Sequence, residues 1–242
     1  MTLKVLGSSS YGNCYILETE SEALIVEAGI GIKAVKQALG FNIRKVVGCL
    51  VTHEHNDHAG HIKEMIDCGF YTLALPEVWA AKGIEDSRAV SIAPGKGYCL
   101  GGFKVYAFAA FHDVPCVGYM IDHEECGRIM FLTDSYQCDV RFRGLSHVLI
   151  ECNYSLTKLY DSISKGVTHQ FQTKRLEVSH MELSDCKEVL VTTDLSKVMN
   201  IVLIHLSDSN SDEEYFVREI QRATGKTVYA AYPGLTLNLN KL

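Results

Sequence analysis

Four side chains able to hold a cation crowd into Val51-Thr52-His53-Glu54-His55-Asn56-Asp57-His58, directly after the apolar run Val46-Val47-Gly48-Cys49-Leu50. Along an extended backbone alternate side chains share a face, so His53 and His55 are expected to point the same way. Asp57 and His58 follow where the chain turns, and there they can face a second cation beside the first. An H-x-H-x-D-H segment at a strand end therefore suits a two-metal hydrolytic centre, with ions roughly 3.5–4 Å apart and an activated water between them. A polar, histidine-rich surface loop is the plain alternative. Three histidines and one aspartate at this spacing are a narrower pattern than such a loop needs.

The segment resembles the signature of the metallo-β-lactamase superfamily of metallohydrolases. That resemblance implies that His53 and His55 bind the first ion and that Asp57 and His58 bind the second. It also implies a third histidine, a bridging aspartate and a last histidine downstream. His112 follows the strand-like run Phe103-Lys104-Val105-Tyr106-Ala107-Phe108, Asp134 follows Ile129-Met130-Phe131-Leu132-Thr133, and His205 follows Asn200-Ile201-Val202-Leu203-Ile204. Singly, each of these is as easily a turn or capping residue. Their order and shared place past a strand match the family's remaining ligands. The set is all nitrogen and oxygen, which suits zinc and also admits manganese or iron.

Other segments narrow the resemblance to the phosphodiesterase branch, which includes ribonuclease Z and the YycJ (WalJ) group. The stretch Ser179-His180-Met181-Glu182-Leu183-Ser184 is similar to that branch's histidine segment, so His180 is the implied proton donor to the leaving oxygen. Read without the family, His180 opens a helix capped by Ser179 or Ser184. Leu149 to Ser155 resembles the segment whose glutamate supports that histidine, which makes Glu151 the implied orienting residue. Val5 to Glu18 looks like the group's opening, with a small-residue loop from Gly7 to Asn13, and His205 to Asn210 looks like its final motif. One position departs from pattern: Leu24-Ile25-Val26-Glu27-Ala28-Gly29 carries glutamate where the superfamily usually has aspartate. That change bears on metal choice and rate more than on fold.

The elements that must position these residues read as two rounds of strands and helices. Strands are expected at 3–6, 14–19, 23–28, 46–51 and 72–75, with helices at 32–39, 59–68 and 76–82. A β-rich middle covers 103–110, 117–122 and 128–133, and a turn at Glu124 to Gly127 places glycine where positive φ is needed. Further strands are expected at 148–151, 200–205 and 227–231, with a helix at 212–223. This order supports an α/β or α+β class; the resemblance implies a four-layer αββα sandwich. His123 is expected to be solvent-exposed in its turn, and neither His147 nor His169 fits the ligand pattern.

The chain of 242 residues is read as one domain, 1–242, because the implied ligands run from His53 to His205. Hydrophobic residues make up 47% and charged residues 21%, enough for a full core. No basic flank precedes a long apolar run at the start, and no apolar run is long enough to span a bilayer. Nine cysteines without a C-x-x-C pair point to reduced thiols and a cytoplasmic protein. The net charge of −6 argues against casual polyanion binding, although two divalent ions would invert the field at the cleft. Arg141, Arg143, Lys158, Lys165, Lys174 and Arg175 are local cations, some of which are expected to line a substrate approach, the plain alternative being a solvated surface.

The expected activity is metal-assisted phosphodiester hydrolysis. Asp57 holds the second ion and the attacking water, His180 protonates the leaving oxygen, and Glu151 orients His180. Resemblance to the YycJ group implies DNA as the partner and exonuclease action. A small phosphodiester, a thioester or a lactone is the alternative substrate on the same scaffold, and an inactive metal-bound nucleic-acid adaptor is the alternative of another class.

Overall fold

The computed structural model describes residues 1–166 and 170–241. His169 lies outside the described residues, as do the side chains of Lys174 and Arg175. The chain opens with β1 (Thr2–Ser9), β2 (Gly12–Glu18) and β3 (Ala23–Val26), then α1 (Ile32–Ala38) and β4 (Val46–Leu50). Two short helices follow, α2 (Asn56–Ala59) and α3 (Ile62–Asp67), before β5 (Thr72–Ala74), α4 (Pro76–Lys82) and β6 (Ala89–Ser91). The middle is β7 (Gly97–Leu100), β8 (Phe103–Ala110), β9 (Cys116–His123), β10 (Gly127–Leu132) and β11 (His147–Glu151). Then come α5 (Leu156–Ser164), α6 (Gln170–Ser179), α7 (Leu183–Val191), β12 (Asn200–Ile204), α8 (Glu213–Thr224), β13 (Thr227–Ala230) and β14 (Thr236–Asn238).

The strands form two seven-stranded sheets, ordered β14-β1-β2-β3-β4-β5-β6 and β13-β12-β11-β10-β9-β8-β7. Each mixes antiparallel hairpins with parallel crossovers, and the second runs parallel from β10 through β13. Period-two alternation sorts the apolar residues into layers. In β12, Val202 and Ile204 join the core between the sheets, while Ile201 and Leu203 face the outer core with Leu183, Cys186 and Leu190 of α7 and Phe216 and Ile220 of α8. On the other outer face α1, α3 and α4 bury Val35, Ile62, Met65 and Trp79. This is the αββα sandwich of the metallo-β-lactamase fold.

Three local readings are corrected. The expected 59–68 helix is broken, because Ala28 C=O accepts the His61 N–H at 2.8 Å and takes it out of the helical ladder. The helix after His180 is capped by Glu182, whose carboxylate accepts the Ser184 N–H, and not by Ser179 or Ser184. His123 is buried at 7% exposure instead of exposed, with Nε2 2.9 Å from Glu22 in the turn before β3. His147 is also buried, and its Nε2–H donates to Leu239 C=O at 2.8 Å. Neither belongs to a donor cluster.

Candidate metal centre

Parallel strands β3, β4, β10, β11 and β12 end at one rim, and the chain delivers its donors just past those ends. β4 stops at Leu50, so His53 and His55 sit in a bend and not on an extended strand. Their rings still come together, with centroids 4.8 Å apart. Asp57 and His58 follow on the single turn of α2. His112 comes two residues after β8, Asp134 two after β10 and His205 one after β12. Glu27, Asp134 and His205 all take left-handed backbone, with φ of 69°, 44° and 53°. That conformation costs an L-residue free energy and clusters at functional sites. Here it turns each side chain back over the rim.

The seven donors expected from sequence converge. His53, His55, His112 and Asp134 offer ligand atoms within 4.8 Å of one another, and so do Asp57, His58, Asp134 and His205. Asp134 is common to both groups. In the first, His112 Nε2 lies 3.1 Å from His55 Nδ1, and Asp134 Oδ2 is 3.5 Å from His53 Nε2 and 3.6 Å from His112 Nε2. In the second, Asp57 Oδ2 is 3.2 Å from Nε2 of both His58 and His205. Neighbouring donors on an ion with bonds near 2.1 Å stand about 3.0–3.4 Å apart in octahedral or tetrahedral geometry. The spacings match. His53 Nε2, fully buried, has no hydrogen-bond partner among the described residues. A buried ring nitrogen left in this state is costly unless something binds it, so the residues present fit divalent cations.

A supporting shell fixes the rings, and much of it carries no signature in the sequence. Thr52 Oγ1 lies 2.9 Å from His53 Nδ1, and Ser179 C=O accepts the His112 Nδ1–H at 2.7 Å. Asn153 Nδ2 donates to His205 C=O at 2.8 Å, and Ser8 Oγ accepts the His205 N–H at 2.9 Å. Asn13 Nδ2 stands 3.1 Å from His58 Nε2 at the end of the small-residue hairpin loop. Glu27, fully buried, brings Oε1 to 3.5 Å from His58 Nδ1, and its Oε2 accepts the Thr52 N–H at 3.4 Å. The extra methylene of glutamate thus keeps a carboxylate behind His58.

Beside the donors stands the His180–Glu151 pair. His180 Nδ1 is 2.7 Å from Glu151 Oε1, and Glu151 Oε2 accepts the N–H groups of Ser135 and Met181 at 3.0 and 3.1 Å. His180 stacks on His205 with centroids 5.4 Å apart. Burial disfavours its charged form, yet the Glu151 carboxylate and then Asp134 hold its pKa above the ordinary value. The donor groups differ in charge state. Burial pushes both His53 and His112 down, towards neutral rings; at His53 the His58 charge adds to it, whereas at His112 Asp134 opposes it without overcoming it. Burial is outweighed at His58 by Asp134 and Glu27, and at His205 by Asp134 and Asp57, so both are raised, His205 to about 10. Asp57 and Asp134 are depressed in return by those imidazoles, against their own burial.

The donors open into a cleft of about 530 Å³ lined also by Ser10, His180, Ser207, Ser209 and Asn210. Among the described residues no lysine or arginine lines it, while Lys174 and Arg175 lie outside the described side chains. Lys158 pairs with Asp212 and Lys165 with Asp161, while the Arg141 guanidinium is held by Cys138 C=O and Thr192 Oγ1. Cys116 Sγ lies 3.7 Å from His53 Nδ1, but burial pushes its thiol well up, away from reactivity.

The model of the metallo-beta-lactamase superfamily matches residues 9–134. This chain belongs to the metallo-β-lactamase superfamily. Within the superfamily it is 25% identical over 228 residues to the exodeoxyribonuclease WalJ of Streptococcus pneumoniae, covering 87% of this chain and 83% of that one. It is 27% identical over 229 residues to the exodeoxyribonuclease YycJ of Bacillus anthracis, at 87% and 84% coverage. Solved metallo-β-lactamase folds superpose along nearly the whole chain. YhfI from Bacillus subtilis gives a TM-score of 0.73 at 14% identity, covering 98% of each chain. A diphosphatase of the PhnP family gives 0.68 at 17% identity, covering 98% and 96%. Human tRNase Z, short form, gives 0.66 at 14% identity and 99% of each. The superfamily match and the histidine–aspartate donor set together mark the chain as a metal-dependent hydrolase.

Proposed function

We propose that the chain acts as one domain, 1–242, and is a two-cation phosphodiesterase that degrades DNA from an end. His53, His55 and His112 would hold one cation and Asp57, His58 and His205 the other, with Asp134 within reach of both groups. The cations would supply positive charge to the phosphoryl oxygens and acidify water at neutral pH. Asp57 orients that water beside the scissile phosphate. His180 carries a proton on its free ring nitrogen to the departing oxygen, and Glu151 fixes the ring and favours its charged form. Ser207, Ser209 and Asn210 line the approach as neutral donors for phosphate oxygens. The nine cysteines are all free thiols, which fits a cytosolic setting, and no helix among the described residues is long and apolar enough to cross a membrane.

The observation that carries this reading is the His180–Glu151 pair at the edge of the donor cluster. A thioesterase or lactonase on this scaffold has no use for it. The names of the curated relatives favour DNA over a small phosphodiester. The deciding experiment sets linear DNA, RNA, bis-p-nitrophenyl phosphate and a glutathione thioester side by side with zinc, manganese or iron(II), for the wild type and His180→Ala. The wild type should shorten DNA progressively, and the variant should lose about 10²–10⁴-fold on DNA. It should lose much less on the nitrophenyl ester, whose leaving group needs little protonation. Thioester turnover indifferent to His180 would defeat the proposal. DNA binding with no turnover of any substrate would point to the adaptor instead.

A further inference from the structure

A second pocket adjoins the donor cleft and takes no part in the scheme above. It measures about 490 Å³, and His112 lines both spaces. Phe111, Tyr136, Leu75 and Pro115 give it apolar surface, and Glu77 and Asp113 add two carboxylates. Among the described residues no lysine or arginine lines it. Phe111 and Tyr136 are each half-buried, and neither belongs to either hydrophobic core. Their ring centroids lie 5.9 Å apart, with the planes tilted by 58°. Backbone ties hold the pair in place: Tyr136 N–H donates to Phe111 C=O at 3.1 Å, and Phe111 N–H donates to Ser135 Oγ at 2.8 Å. Phe111 immediately precedes His112 and Tyr136 comes two residues after Asp134, so each ring is fixed next to a donor of the first group.

We infer that this pocket receives a base of the DNA strand, at or beside the nucleotide being cut, with Phe111 and Tyr136 as its stacking surface. The inference rests on the phosphodiesterase reading given above. Large aromatic side chains normally spend their area in a core. Two that stand outside both cores, in a pocket beside the donors, offer their faces to what enters it. Aromatic rings stack any base, because every base has a π-face. The charge of the pocket selects which part of a nucleotide enters. Glu77 and Asp113 repel a phosphate, but carboxylates accept hydrogen bonds from the N–H groups of a base. Phosphate has its own place: Ser207, Ser209 and Asn210 line the cleft just past His205 of the second donor group, whereas the pocket meets the first group at His112. A nucleotide lying across the centre thus finds a neutral polar flank on one side and an aromatic, acidic flank on the other. The pocket falls within the roughly 300–1,000 Å³ of small-ligand sites, enough for a base and its sugar. Phe111 and Tyr136 are positioning residues here, since they set where the strand lies and do not touch the reacting phosphate.

The test follows digestion of a DNA oligonucleotide by the metal-loaded full chain, with an abasic tetrahydrofuran analogue at the terminal or the penultimate nucleotide of either end. The proteins are the wild type, Tyr136→Phe, and Tyr136→Leu alone and with Phe111→Leu. Removing the base at one of these positions should lower kcat/KM of the wild type about 10–100-fold. The double variant should digest normal DNA about as slowly as the wild type digests the abasic strand, and base removal should then cost it less than about threefold. Tyr136→Leu should lose part of the discrimination, and Tyr136→Phe, which keeps the ring, should retain it. Bound metal should match the wild type throughout, because the ties at Phe111 and Tyr136 are made by backbone atoms. In the wild type alone, a deoxynucleoside monophosphate should inhibit at least about tenfold more strongly than deoxyribose 5-phosphate. DNA digestion indifferent to the base at every position, or a base effect undiminished in the double variant, overturns the subsite and leaves the phosphodiesterase reading standing. Failure of the wild type to cut any DNA would sink that reading itself, a separate result.

Discussion

At the scale of single residues, Glu27 shows how a departure from a family pattern is accommodated. The longer side chain springs from a left-handed residue, runs back under the site and meets the ring nitrogen of His58 that faces away from Asp57 and Asp134. It contributes charge more than a short hydrogen bond, because the separation is 3.5 Å. Glu27→Gln keeps length and shape and removes only the charge. It should weaken cation binding at the His58 group by about 10–100-fold, and it should also lower the melting temperature of the metal-free protein near neutral pH, because Glu27 helps to hold the charge on His58. Calorimetric titration would read this directly, and an affinity equal to wild type would mean that Glu27 is merely packed there. His180 makes the same point about signal: read without the family it merely opens a helix, and the segment resemblance together with the 2.7 Å contact to Glu151 marks it out.

Secondary-structure elements were legible where burial imposed a period, and illegible where it did not. β10 and β12 alternate between two cores and β8 between core and solvent over most of its length, and their apolar runs read directly from sequence. The edge strands β6, β7 and β14 run only three or four residues, are largely exposed and leave no such trace. Asn13, at the start of β2, and Asn153, just after β11, escaped for a related reason, since a lone amide has no spacing to betray its role. The ligand segment was legible because its chemistry is local, but the conformation of its backbone was not. The path of that backbone depends on a distant clamp. Ala28 N–H donates to His58 C=O at 2.7 Å, Gly29 N–H to Asn13 C=O at 2.9 Å, and Ala28 C=O accepts from His61. A Cβ on Gly29 would fall 1.8 Å from Asp57 O and 2.6 Å from Asn13 N, both backbone atoms that cannot swing aside. Gly29→Ala should therefore cost about 2–4 kcal/mol of stability and displace the Asp57–His58 turn. Thermal melting together with metal content would register it; a variant with unchanged melting temperature and full metal content would show the clamp to be looser than it looks.

Across the whole molecule, the centre joins two sheets through buried charge. In the metal-free chain His205, with a pKa of about 10, and His58, also raised, pair with Asp57 and Asp134. A histidine raised in the fold stabilises it fully below the unfolded value near 6.5, and that contribution fades as pH climbs through the folded value. Metal-free stability should consequently decline between about pH 7 and 10. Cation binding must displace those protons. Titration of the metal-free protein at pH 7.5 in buffers of differing ionisation enthalpy should record at least about one proton released per pair of cations bound. Affinity should rise with pH over the same interval. Zero proton release would place neutral rings at His58 and His205 from the start.

The left-handed residues at the rim also govern how such a centre could be lost. Asparagine and aspartate tolerate that backbone better than most side chains, and alanine does not. An alanine at position 134 or 205 would unsettle the turn as well as the coordination, so alanine scanning there conflates architecture with chemistry. Asparagine at position 134 would preserve the bend and delete the bridge in one step. Descendants that gave up hydrolysis but kept the scaffold should carry amides at these corners, and their silhouettes would scarcely differ from a working relative's.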